Sequence, residues 1–223
     1  MIRLMSVSKR YDLDGVGVQA LDDVTCHIPA GQFAAIVGPS GSGKSTLLHI
    51  LGLLDTRFEG RYLLDGRPVS GLSEDQLAAL RSGEMGFVFQ AFNLLPQLTI
   101  LENVALPALY AGDRSPAVCR AAARARLEQL GLSDRLAHRP AQLSAGQRQR
   151  VAIARAIVNS PRLLLADEPT GALDSRTAQE ILGILRGLHR EGMTVVVVTH
   201  NPRVAAAAQR VIDVLDGAIR DAA

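Results

Sequence analysis

The run Gly38-Pro39-Ser40-Gly41-Ser42-Gly43-Lys44-Ser45-Thr46 constrains this chain more than any other stretch. It follows Phe33-Ala34-Ala35-Ile36-Val37, a short apolar segment of the kind that forms a buried strand. The loop fits the pattern G-x-x-x-x-G-K-[ST], in which strand, glycine-rich loop and helix come in that order. Glycines at 38, 41 and 43 let the backbone curl until its N–H groups converge on phosphate oxygens, and the following helix adds its positive N-terminal end. Lys44 then supplies a mobile cation for terminal phosphates, and the Ser45 hydroxyl can ligate magnesium. Such a loop alone leaves several classes of nucleotide-handling chain open.

Two further motifs narrow the reading. Leu163-Leu164-Leu165-Ala166-Asp167 is an apolar strand that ends in a carboxylate, and Glu168 follows directly. Neighbouring side chains at a strand end point in different directions, so the pair can divide its labour. Asp167 suits a magnesium shell, and Glu168 suits the orientation or deprotonation of an attacking water. An acidic pair in a loop is more often solvated surface; the buried strand before it and the phosphate cradle upstream reverse that preference. Ser144-Ala145-Gly146-Gln147 precedes a helix expected to begin near Arg148, so its hydroxyl and N–H groups form an anion-binding helix start. Alone it would be an ordinary N-cap. Gln90, closing a strand candidate at 86–90, and His200, closing another at 194–199, are placed to meet a terminal phosphate from two sides.

The rest of the chain organises around these motifs. Residues 1 to about 36 alternate apolar and polar, as in Ile2/Leu4 and Cys26/Ile28, which predicts antiparallel strands. Asp65-Gly66 reads as a tight turn, and Pro68 confines the following segment to a sheet edge. Ser73-Glu74-Asp75-Gln76 has the form of a helix start with a capping box. Between 91 and 147 the character becomes helical and proline-interrupted, with an Ala/Arg/Leu-rich helix at Val118–Leu130 whose arginines, at 114, 120, 124, 126 and 135, read as a solvated face. After Gln147 strands and helices alternate again, ending with a strand near Val211-Ile212. The expected fold class is α/β: a mainly parallel sheet covered on both faces, an antiparallel β lobe and an inserted α-helical subdomain. The expected organisation is a single domain, 1–223, with a core of about 1–90 and 148–223 and a helical subdomain of about 91–147.

Composition excludes more than it identifies. A net charge of +2 from 24 basic and 22 acidic residues does not advertise a nucleic-acid partner, and none is expected. The N-terminus lacks the apolar core of a signal peptide, and no apolar run approaches the roughly 20 residues that cross a bilayer. The expected location is cytoplasmic. Cys26 and Cys119 stand in no metal-like spacing and read as small buried side chains.

With these residues in order along it, the chain resembles the ATP-binding-cassette (ABC) ATPases, members of the P-loop NTPase class, over nearly its whole length. Gly38 to Thr46 resembles the family's Walker A, Gln90 its Q-loop, Leu143 to Gln147 its signature, Leu163 to Glu168 its Walker B, Ala172-Leu173-Asp174 its D-loop and His200 its switch histidine. The resemblance implies hydrolysis of ATP with Mg2+. Glu168, His200 and Gln90 are the implied catalytic residues. Tyr11, Gly38, Ser40, Gly41, Gly43, Lys44, Ser45, Thr46, Ser144, Gly146, Gln147 and Asp174 are those implied to hold the nucleotide, with Tyr11 stacking on adenine; Ser45, Gln90 and Asp167 are those implied for the metal. It also implies a head-to-tail dimer of two copies and an integral membrane permease subunit, which would place the chain on the inner face of the cell membrane. Ala145 departs from the family, standing where a first signature glycine is usual.

The segments from Gln90 to Val104 and from Ala166 to Asp174 are most similar to the macrolide-export and lipoprotein-release branch, whose members work a membrane partner as a lever. In that branch Phe92, Leu94 and Leu95 are the exposed apolar residues on which the partner's cytoplasmic helix would sit; the alternative is that they belong to the subdomain core. Rival readings are an importer or cell-division ATPase of the same fold and, from another class, a soluble cassette ATPase of DNA repair or translation. The chain has neither the long coiled-coil insertion of the repair members nor the paired cassettes usual in translation.

Overall fold

Leu163, Leu164, Leu165 and Ala166 show how the central sheet divides the molecule. Successive side chains of a strand face opposite ways, and here Leu163 and Leu165 enter one apolar cluster while Leu164 and Ala166 enter another. Val195 to Val198 alternate in the same manner between the same two clusters. A strand buried on both faces needs apolar residues at every position, which is why both segments read as unbroken apolar runs.

The computed structural model describes residues 1–13, 16–112 and 114–220. Six strands form the central sheet in the order β10-β9-β3-β8-β7-β6. These are β6 (Met85–Val88), β7 (Leu163–Asp167), β8 (Thr194–Val198), β3 (Phe33–Val37), β9 (Arg210–Leu215) and β10 (Ala218–Arg220). The first five run parallel, and β10 turns back antiparallel on β9. The sequence reading placed one last strand near Val211-Ile212 and overlooked β10. The hairpin turn behind it is Asp216-Gly217, both at positive φ (48° and 80°), a two-residue turn of the type that Asp-Gly favours.

On one face lie β1 (Ile2–Leu13), β2 (Val16–Ile28), β4 (Glu59–Leu64) and β5 (Arg67–Pro68), an antiparallel sheet ordered β2-β1-β4-β5, with helices α1 (Lys44–Leu51) and α2 (Glu74–Glu84). Pro68 occupies the edge strand, where its missing N–H breaks no ladder. On the other face lie α3 (Ile100–Tyr110), α4 (Pro116–Gln129), α5 (Ala145–Ile157) and α6 (Ser175–Arg190), which share the second apolar cluster. A short α7 (Pro202–Ala205) follows β8.

Capping chemistry sets the helix starts. Ser73 and Gln76 form a reciprocal capping box at α2, and Thr99 and Glu102 do so at α3. Helix α4 begins two residues before the expected Val118 because Ser115 caps it and Pro116, with no N–H to lose, takes its first turn. Helix α5 begins at Ala145 and not near Arg148, because Ser144 is its cap. Asn103, fully buried, accepts from the Leu95 N–H at 2.8 Å and donates to the carbonyls of Leu95, Leu98 and Thr99, fixing the segment that leads into α3.

Helix α5 packs on β6 at Gly86, where a Cβ would stand 2.4 Å from the Ala156 carbonyl oxygen. Backbone cannot swing aside as a side chain can. Gly86→Ala is expected to destabilise the chain by about 1–3 kcal/mol through overpacking, read as a fall in melting temperature of roughly 2–4 °C per kcal/mol; an unchanged melting curve would refute this account of the contact.

Candidate functional site

The loop between β3 and α1 needs two of its glycines for measurable reasons. At Gly38 (φ 143°) a Cβ would stand 2.1 Å from the Val214 carbonyl oxygen, and at Gly43 (φ 101°) 2.3 Å from that of Ala20. Both positions combine a left-handed backbone with a backbone neighbour, so only glycine fits. Gly43 is the N-cap of α1, which starts at Lys44 with no side-chain cap, so the first N–H groups of the helix remain available to an anion.

A cavity of about 530 Å³ opens above this loop. Tyr11, Gly38, Ser40, Gly41, Gly43, Lys44, Ser45, Thr46, Gln90, Asp167, Glu168 and His200 line it together. The Lys44 Nζ donates to the Pro39 carbonyl at 2.5 Å, folded over its own loop. The Ser45 hydroxyl lies 3.4 Å from Asp167 Oδ2, so one hydroxyl and one carboxylate converge on one point. Such a pair fits a small hard cation such as magnesium, which takes one or two carboxylates and completes its shell with phosphate oxygens and water.

Glu168 is built differently from Asp167. Its backbone sits at φ 45°, its N–H donates to the Val198 carbonyl at 2.9 Å, and its carboxylate turns to His200, whose Nδ1 lies 2.8 Å from Oε1. The carboxylate is 13% exposed and the imidazole 71%. The second oxygen, Oε2, is buried and has no partner among the described residues. A buried acceptor left unpaired costs free energy and marks a place where another donor belongs.

Gln90 does not end a strand, as the sequence reading had it. β6 stops at Val88, and Gln90 lies exposed in a turn closed by the Phe92 N–H on the Phe89 carbonyl at 3.1 Å. Phe92 and Asn93 then take left-handed backbone (φ 60° and 49°), a local geometry that an apolar run does not announce. Two arginines of α5 hold this loop: Arg155 donates to the carbonyls of Phe92 and Asn93, and the Arg148 guanidinium lies 5.3 Å from the Phe92 ring centre. Phe92 is thereby half-buried, Leu94 packs on the core cluster, and Leu95 alone of the three is exposed, at 45%.

Ser144, Gly146, Gln147 and Asp174 do not line the cavity. Ser144 Oγ accepts from the Gln147 N–H at 3.2 Å, and Gln147 Oε1 from the Ser144 N–H at 2.9 Å, so the Gln147 side chain is spent on the cap. Asp174 caps α6, accepting from the N–H groups of Arg176 and Thr177 and from the Thr177 hydroxyl at 2.6 Å. The bond from that hydroxyl, before the backbone bonds, holds the Asp174 carboxyl below the ordinary aspartate range. Thr177 also explains Gly146, where a Cβ would stand 2.3 Å from its methyl carbon. The two helix starts thus pack together. Ala145 is the first residue of α5 and carries no positive φ, so its methyl adds no backbone strain.

Thr177 was missed in the sequence, although the Asp174-x-x-Thr177 spacing is a capping signal. Lys9 and Asp55 were also missed; they pair beside Tyr11 at 2.7 Å, and nothing local links residues so far apart in the chain.

Comparison with known proteins gives one answer. The family described as "ABC transporter" matches residues 21–171. The chain is 55% identical over 220 residues to the macrolide export ATP-binding/permease protein MacB 1/2 of Paracoccus denitrificans, covering 98% of this chain and 33% of that protein. It is 49% identical over 221 residues to the MacB protein of Chlorobaculum tepidum, covering 99% of this chain and 34% of that one. The chain thus spans about a third of the length of the curated relatives it matches. Among solved structures, a dimeric bacterial ABC transporter cassette, MJ0796, is 47% identical with a TM-score of 0.91, covering 99% of this chain and 97% of that one. A post-hydrolysis dimer of MJ0796 bound to ADP and Pi is 45% identical with the same TM-score of 0.91 and the same coverage of both chains, 99% and 97%.

The geometry separates two substitutions. Lys44→Ala removes the cation of the cradle and is expected to abolish nucleotide hydrolysis, by about 100-fold or more. Glu168→Gln keeps shape and removes the carboxylate charge facing His200, and is expected to lower turnover about 10²–10⁴-fold while nucleotide still binds. Steady-state hydrolysis and equilibrium binding measured on folded variants check both; wild-type turnover in either would refute the assignment.

Proposed function

The chain belongs to the ABC transporter family as an ATP-hydrolysing cassette, and from that premise we propose that two copies work head-to-tail beneath an integral membrane permease to power export. The observation that carries this reading is the split of the phosphate-binding residues. One set gathers around the 530 Å³ cavity, while Ser144 and Gly146 stand at a helix start outside it, with Ser144 exposed. A second copy supplies the missing half. Each bound triphosphate is strongly acidic, and donors from both sides let the protomers close over it.

In this reading the loop N–H groups and Lys44 bind the terminal phosphates. Ser45 and Asp167, with Gln90, would hold Mg2+, which would supply positive charge against the phosphates. Glu168 accepts the proton of the attacking water, and His200 holds its carboxylate at Oε1. Tyr11 stacks on the adenine, and Asp174 keeps Thr177 and hence Gly146 in place. The export assignment rests on the names of the MacB relatives, which join this unit to a permease in one protein. No helix among the described residues is long and apolar enough to cross a membrane, so the membrane part of such a machine lies outside them.

For the permease we assign the cavity of about 490 Å³ beside the Gln90 loop, lined by Arg81, Phe87, Phe89, Asn93, Pro107 and Arg155 among others. Leu95, exposed on the same loop, belongs to that docking face. Leu95→Glu is expected to uncouple or release the membrane partner and leave the isolated chain folded, whereas Leu94→Glu is expected to destabilise the chain. Co-purification and a melting curve distinguish the two; an unfolded Leu95 variant would return that residue to the core.

Ligand-linked dimerisation follows from mass action, because ATP forms part of the interface. Glu168→Gln is expected to accumulate a closed dimer in ATP and to be mostly monomeric in ADP when the permease is absent. Adding Ser144→Arg should restore the monomer by filling the space meant for phosphate. Size-exclusion chromatography with light scattering decides the matter: an oligomeric state indifferent to both nucleotide and Ser144 sinks the composite site.

A further inference from the structure

A charged group is buried beside the nucleotide cavity for which the chemistry above has no use. Lys9 is 6% exposed. Its ammonium donates to both Asp55 oxygens, at 2.8 and 2.7 Å, and to the Arg57 carbonyl at 2.6 Å. Asp55 Oδ2 also accepts from the Tyr11 hydroxyl at 3.0 Å, and Oδ1 from the Arg57 N–H at 3.1 Å. The same ammonium stands 4.7 Å from the centre of the Tyr11 ring, within range of a cation–π contact. Tyr11 lines the cavity and Lys9 does not, so the ammonium meets the ring without entering the nucleotide space.

Asp55 itself is anchored to the helix that carries the phosphate cradle. Its N–H donates to the His49 carbonyl near the end of α1, as does that of Leu54. Thr46, on the first turn of the same helix, lines the cavity together with Tyr11. Burial pushes the Asp55 carboxyl up, but the bonds from Lys9, the Arg57 N–H and Tyr11 outweigh it and hold the group below the usual aspartate range, so it stands as a fixed anion. A buried ion pair is a poor source of stability, since an apolar pair of similar volume often serves as well. Its position is better explained by what it orients.

We propose that Lys9 and Asp55 are positioning residues for the adenine-binding ring: they fix the plane of Tyr11 and tie it to α1, so that base and triphosphate are gripped at one set distance. The inference rests on the reading of Tyr11 as the stacking residue. A ring held at its hydroxyl and on one face loses little freedom when a base settles on the other, which strengthens base binding through pre-organisation. The triphosphate, held by the loop backbone and Lys44, gains nothing from it.

That asymmetry supplies the test. ATP hydrolysis and the binding of ATP and of inorganic tripolyphosphate are measured for wild type, Tyr11→Ala, Tyr11→Phe and the double variant Lys9→Met/Asp55→Leu. The double variant replaces the ion pair by apolar groups, and a melting curve verifies its fold; Tyr11→Phe removes only the hydroxyl and keeps the test open if the double variant does not fold. The expected result for both is a KM and Kd for ATP raised about tenfold, the scale of one lost hydrogen bond to a charged group; in the double variant kcat and tripolyphosphate affinity stay unchanged. Wild-type ATP affinity in both, with weakened affinity in Tyr11→Ala, overturns the positioning role and spares the stacking role. Wild-type affinity in Tyr11→Ala removes the stacking role and this inference with it. ATP and tripolyphosphate affinities falling together would assign the pair to the architecture of the cradle and also overturn the proposal.

Discussion

The close approach of the β3–α1 loop to two backbone carbonyls is the constraint on which the site depends. With Gly43 against Ala20 and Gly38 against Val214, the loop is pressed onto β2 on one side and β9 on the other, closer than any side chain permits. The loop is also tied to the turn between β9 and β10, where the Gly217 N–H donates to the Ser42 carbonyl at 3.1 Å. Its N–H groups keep their direction because the strands beneath them are fixed. The parallel sheet contributes the rest by geometry: β3, β7 and β8 end at one edge, and the residues just past those ends, Gly38, Glu168 and His200, meet there without any sequence proximity.

Glu168 and His200 illustrate how that edge becomes chemistry. Asp167 closes β7 in regular extended geometry and faces Ser45, while the left-handed backbone of Glu168 turns the next side chain toward His200. A non-glycine residue at positive φ is disfavoured and persists only when its surroundings hold it. Here the Glu168 N–H bond to Val198 and the carboxylate contact to His200 do so. Two adjacent carboxylates are thereby aimed at different partners, Asp167 at Ser45 and Glu168 at His200.

Much of this was legible in the sequence because its strongest signals are local. The apolar run 163–167 is a strand with the expected ends, and the glycines of the cradle sit where left-handed backbone is needed. The capping box at Ser73 was readable from four residues. What escaped had a tertiary cause. Gln90 leaves its strand early because Arg155, 65 positions downstream in the numbering, holds the loop that follows. Gly146 is required by Thr177 on another helix. The partnership of Lys9 with Asp55 has no periodicity to betray it. The start of α5 was misplaced for a different reason: Ser144 was read for the anion it could meet, when the same hydroxyl also begins the helix.

Helix α5 joins these threads. Its first turn presents Ser144 and Gly146 away from the cavity, and further along it Arg148 and Arg155 grip the loop after Gln90. Burial disfavours the charge on Arg155 and lowers its proton affinity, and its hydrogen-bond acceptors at this loop are the carbonyls of Phe92 and Asn93. A guanidinium in such surroundings would lose much by giving those carbonyls up, since an unpaired buried charge is far costlier than an unpaired neutral group. Arg155 thus ties the loop to α5. The loop that follows Gln90, a residue of the nucleotide cavity, is thereby bonded to the same helix whose first turn stands outside that cavity.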